Sequence, residues 1–111
     1  MTRDPLHELM ARLRRDYQRE FPARIADLRR TAAEWLAGGD PEPPLGTLFH
    51  RLSGSAGAYG YTTVSTVCRA AERYVGAGPA RNAETAAHLE AAIGGVEEAF
   101  LKGPTGPDIT A

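Results

Sequence analysis

His50 stands in a line of residues with almost no side chain. At three-and-four spacing around it fall Gly46, Thr47, Ser53, Gly54 and Gly57, which would form one strip of a helix. A glycine inside a helix costs roughly 0.5–1 kcal/mol relative to alanine. A strip built around Gly46, Gly54 and Gly57 therefore needs a reason, and close approach of another backbone or of a reacting group to the imidazole supplies one. An exposed imidazole with an ordinary pKa near ~6.5 is largely neutral at neutral pH and keeps a nitrogen lone pair. Such a group is a usable nucleophile toward an activated phosphoryl group. On an arbitrary helix, by contrast, a histidine is usually a hydrogen-bonded structural residue. His7 and His88 stand alone on separate segments, with no second histidine three or four residues away to make a metal pair.

The strip needs a helix to carry it, and the apolar residues of the same segment describe one. Leu45, Leu48, Phe49, Leu52, Ala56 and Tyr59 trace a single buried face beside His50. Gly60 is placed to close this helix in a left-handed cap. Upstream, Asp4 and Pro5 read as N-cap and first turn of a helix whose inner face is Leu6, Leu9, Met10, Leu13 and Tyr17. Pro22, just after Phe21, reads as the first turn of a second helix with Ile25, Leu28, Ala32, Trp35 and Leu36 inward, ended by Gly38-Gly39-Asp40-Pro41. After the central helix, Thr62 or Thr63 is the expected cap of a helix lined by Val64, Val67, Cys68, Ala71 and Val75. Asn82 caps the last, with Ala86, Leu89, Ile93, Val96 and Phe100 inward. No stretch alternates as a strand does. The expectation is an all-α fold, an antiparallel up-and-down four-helix bundle with an additional N-terminal helix, over residues 1–102. Residues 103–111, rich in Gly and Pro, are expected to form a disordered tail.

Composition narrows the function classes. The 111 residues suit one domain with a modest core, and the 42% apolar and 24% charged shares are those of a globular protein. A net charge of -1 gives no whole-chain argument for nucleic acid or an anionic membrane. The single cysteine, Cys68, excludes an internal disulfide and a four-cysteine zinc site; within an apolar line it reads as a buried, inert thiol. No apolar run nears the ~18 residues of a spanning helix, and MTRDPLHEL has no signal-peptide core, so a soluble cytoplasmic protein is expected; the separate expectation for oligomeric state is a monomer. There is no P-loop, dinucleotide fingerprint, HExxH or Gly-x-Ser-x-Gly elbow.

HRLSGSAGAYG, residues 50–60, resembles the phosphorylation-site helix of histidine-containing phosphotransfer (Hpt) domains, whose pattern is His-x-Leu-Lys-Gly-Ser/Ala-Ala-Gly-x-x-Gly. His50, Leu52, Gly54, Ser55, Ala56, Gly57 and Gly60 match in register, and weaker agreement continues through Val64, Cys68 and Glu72. The family's lysine is Ser53 here, which removes a positive charge that would lie beside the phosphoryl oxygens; Arg51 is the nearest basic residue in sequence, ~100° around the helix. The resemblance implies a bundle in which His50 accepts a phosphoryl group from a receiver-domain aspartate and passes it to another receiver. Arg51, Ser53, Gly54 and Gly57 would then govern access or docking. It implies no bound cofactor, with Mg²⁺ brought by the receiver, and partners that are response-regulator receivers or a hybrid histidine kinase. The chain would be a phosphotransfer intermediate rather than an autonomous kinase. The competing expectation is a non-catalytic helical adaptor that binds or inhibits a receiver or kinase, which the missing lysine favours.

Overall fold

A computed structural model describes residues 4–106. Among them are four helices, α1 (Pro5–Leu36), α2 (Leu45–Ala58), α3 (Thr62–Gly76) and α4 (Ala83–Leu101), and no strand. Helix α2 packs on α3, α3 on α4, α4 on α1 and α1 on α2, which closes a four-helix bundle. No helix among the described residues is long and apolar enough to cross a membrane.

The expected break between a first and a second helix is absent: α1 runs through Pro22 without interruption. Proline in a helix interior removes one amide donor and frees the carbonyl four residues earlier, here that of Gln18. Both Pro22 and Gln18 are exposed, so water can satisfy that carbonyl. Buried Phe21, Ile25 and Leu28 on the other side hold the helix together across the proline. There is accordingly no separate N-terminal helix. The first turns of α1 extend the same rod, and Leu6, Leu9 and Leu13, expected inward, are 57%, 40% and 41% exposed.

Asp4 caps α1 as expected, its carboxylate accepting from the Leu6 amide at 3.0 Å, and Asn82 caps α4 by accepting from the Thr85 amide at 3.0 Å. Helix α3 starts differently: its N-cap is Tyr61, which makes no side-chain cap bond, and Thr62 is already helical. Gly60 explains this. At φ +83° it closes α2 with paired bonds from the Gly60 amide to the Gly57 carbonyl and from the Tyr61 amide to the Ala56 carbonyl, a Schellman arrangement that only a residue tolerating positive φ takes cheaply. The corner is then tight enough that Tyr61 itself opens α3.

The core is one cluster: Phe21, Ile25, Leu28, Ala32 and Trp35 from α1, Leu45, Phe49, Leu52 and Ala56 from α2, Val64, Cys68 and Ala71 from α3, and Leu89, Ile93 and Val96 from α4. Fully burying each large apolar side chain contributes about 1.5–3 kcal/mol. At the Gly60 end, Phe100 stacks on Phe21 with ring centroids 3.7 Å apart and on Tyr61 at 4.9 Å, tying α1 and α4 to the α2–α3 corner. Residues 103–106, expected within the tail, return to this corner, where the Thr105 and Gly106 amides donate to the Gly60 carbonyl. Residues 107–111 lie outside the described residues.

Candidate functional site

His50 projects from the middle of α2 between two anchors, Phe49 and Leu52, that are 0% and 4% exposed. The packing of these neighbours fixes the helix rotation and so turns His50 outward. Its side chain is 74% exposed. One nitrogen is nevertheless held: Nδ1 lies 3.1 Å from Glu72 Oε2 and 3.2 Å from Oε1. Glu72 comes from α3 and is half-buried at the seam between the helices. An ionised carboxylate only accepts hydrogen bonds, so Nδ1 must be the donor. In the neutral ring the proton then sits on Nδ1 and the lone pair on Nε2.

The seam on either side of this pair is shallow and open. One depression, of about 470 Å³, is lined by His50, Ser53, Gly54, Gly57 and Ala58 of α2 and by Ser65, Arg69, Glu72 and Arg73 of α3. It adjoins a second, lined by Pro44, Gly46, Thr47, His50, Glu72, Arg73, Val75 and Gly76. The small-residue strip read from the sequence is thus one wall of a continuous groove, with His50 and Glu72 at its midpoint. A Cβ added at Gly54 would meet nothing within 4 Å, whereas one at Gly57 would lie 3.4 Å from Ser65 Oγ. Gly54 therefore leaves open space beside the imidazole, and Gly57 lets α3 come close.

Two residues expected at this site sit otherwise. Ser53 is only 7% exposed, with its Oγ 3.4 Å from Ser65 Oγ; it forms the floor of the groove rather than a free position on its rim. Arg51 lies on the opposite side of α2, in a separate depression shared with Arg24, Asp27, Arg30 and Glu34. A rotation of ~100° carries it away from His50, and it adds no charge to the groove. The basic residues present there are Arg69 and Arg73, from α3. Sequence reasoning missed them, although Ser65, Arg69, Glu72 and Arg73 share the helical spacing of one face.

The remaining reactive groups are elsewhere. Cys68 is fully buried, and burial pushes its thiol pKa up to about 12. His88 stacks on Tyr74 with ring centroids 3.7 Å apart. Among the described residues no three His, Cys, Asp or Glu side chains gather to hold a metal ion.

In comparison with known families, the family model described as Hpt domain matches residues 12–99. No curated protein and no solved structure gives a match.

Proposed function

The chain belongs to the Hpt domain family, the phosphotransfer domains of two-component phosphorelays, and from that premise we propose that His50 accepts a phosphoryl group from the aspartyl phosphate of a receiver domain and delivers it to a second receiver. The observation that carries this reading is the held imidazole: Nδ1 on Glu72 at 3.1 Å, and a side chain 74% exposed on an open groove.

The reaction follows from that placement. The Nε2 lone pair attacks phosphorus in line with the bond to the aspartate oxygen. The P–N bond forms as the acyl P–O bond breaks, and the carboxylate leaves with the electron pair. Nδ1 keeps its proton, and the imidazolium that results faces the Glu72 carboxylate. An oriented carboxylate beside a ring nitrogen both fixes the tautomer and offsets the developing positive charge. The return step to a second receiver is the same path reversed. Positioning and charge compensation are all such a transfer asks of the bundle. We assign the Mg²⁺ of the reaction to the receiver, and this chain's own contribution is the imidazole and the residues that hold it.

The test is to mix the protein with a phosphorylated receiver and follow acid-labile label. Wild type takes up label and His50→Gln takes up none while melting at the same temperature, because an exposed side chain contributes little to the fold. Equal labelling of both proteins would overturn the assignment. The adaptor reading, which Ser53 favours, instead requires receiver binding with no label on wild type.

A further inference from the structure

In the groove beside His50 one guanidinium is bonded to a hydroxyl instead of a carboxylate. Arg69 donates from Nη2 to Ser65 Oγ at 2.9 Å, and among the described residues no carboxylate pairs with it. Ser65 is 1% exposed, so this bond draws the guanidinium toward the α2–α3 seam rather than letting it extend into solvent. The register of the seam says where that is. His50 meets Glu72, and Gly57 approaches Ser65. Each step forward along α2 is thus matched by a step back along α3. Arg69, between Ser65 and Glu72, falls opposite Ser53, one turn along from His50, and lines the same depression. A hydrogen bond to a neutral hydroxyl leaves the remaining donors of the guanidinium fork unused.

We propose that Arg69 is a phosphoryl-positioning residue, whose guanidinium binds the oxygens of the phosphoryl group once Nε2 of His50 carries it. The proposal rests on His50 being the phosphoacceptor. The transferred group carries two negative charges into a groove where, among the described residues, Glu72 is the one lining carboxylate, and it is committed to Nδ1. A planar guanidinium presents two parallel donors to such oxygens, and charge-assisted bonds of this kind are roughly twice as strong as neutral ones. Ser65 pre-orients the fork, so little freedom is lost when it closes on the phosphoryl group. Arg73 lines the groove on the other side of Glu72 but has no such anchor. It contributes charge without direction.

The experiment uses the whole protein, phosphorylated chemically with phosphoramidate, in which the P–N bond to ammonia is exchanged for one to Nε2. Phosphorus-31 NMR then follows the titration of the phosphoryl group between monoanion and dianion. A bound guanidinium favours the dianion, so Arg69→Gln raises the pKa of that group by about one unit, while Arg69→Lys restores part of the shift. Arg73→Gln moves it much less. A titration unchanged in Arg69→Gln, or moved equally by Arg73→Gln, overturns the assignment to Arg69 while leaving His50 as acceptor. Absence of label on His50 in wild type overturns the phosphoacceptor reading and this inference with it.

Discussion

Glu72 is the residue on which the chemistry of His50 turns. Replacing it with glutamine keeps the shape and removes the charge that faces the imidazolium. A hydrogen bond to a charged group is worth about 1.5–3 kcal/mol, so Glu72→Gln should slow phosphoryl acceptance by roughly ten- to a hundredfold, with the thermal melt nearly unmoved because glutamine keeps the shape at the half-buried seam and His50 is exposed. Quench-flow labelling beside a melting curve checks both halves. Cys68 is the opposite kind of residue. With its pKa pushed up to about 12 by burial, about one thiol in ten thousand is ionised at pH 8, and the folded protein should resist alkylation until it is unfolded. The same shift has a consequence for stability. The folded pKa lies above the ordinary value of 9.0, so the contribution of the buried thiol is complete below pH 9 and is lost as the pH climbs from 9 toward about 12. Tyr17, raised chiefly by burial, acts in the same direction. Urea melts at pH 8, 10 and 11 should show falling stability, with a shallower fall in Cys68→Val.

At the scale of elements, the strip on α2 separates folding from access. Gly54 lies in a helix interior with open space where a side chain would go. Gly54→Ala should therefore stabilise the bundle by roughly 0.5–1 kcal/mol, and Gly54→Gln should also fold. Transfer from a receiver should weaken from Gly to Ala to Gln as the groove beside His50 fills. Paired melts and transfer rates check this, and parallel loss of both would mean that Gly54 serves packing instead. The helices themselves were legible in the sequence because an amphipathic face is a local pattern: Phe49, Leu52 and Ala56, or Leu89, Ile93 and Val96, declare their burial by spacing alone. Two things were not legible. Pro22 reads as a helix start, because the cost of carrying it inside a helix is offset by distant burial of Phe21 and Ile25. The partners of His50 were hidden for a related reason. Which turn of α3 faces which turn of α2 is set by core packing and by the Gly60 corner. Glu72 showed only as a weak likeness and Arg69 not at all, while Arg51, next in sequence, faces away.

At the scale of the whole molecule, the bundle is asymmetric by construction. The 32 residues of α1 span about 48 Å and the 19 of α4 about 28 Å, so α1 overhangs its neighbours, in keeping with overall extents of 59 × 23 × 19 Å. The overhang is the end that carries exposed Leu6, Leu9 and Leu13, and the family match begins at residue 12. Deleting residues 1–11 should then lower Tm by less than about 4 °C, since under ~1 kcal/mol of packing is lost. A fall well beyond that would show that these turns are part of the folding unit. The groove at His50 lies on the α2–α3 side, built by two helices whose inner faces the other two clamp. The bundle can therefore hold one imidazole still while leaving its outer nitrogen open. Long-range ¹H–¹⁵N NMR on the protein phosphorylated by a receiver tests that claim most directly. The expected result is a single phosphohistidine, His50, with phosphorus on Nε2 and the proton on Nδ1. Phosphorus on Nδ1, or on His7 or His88, would contradict it.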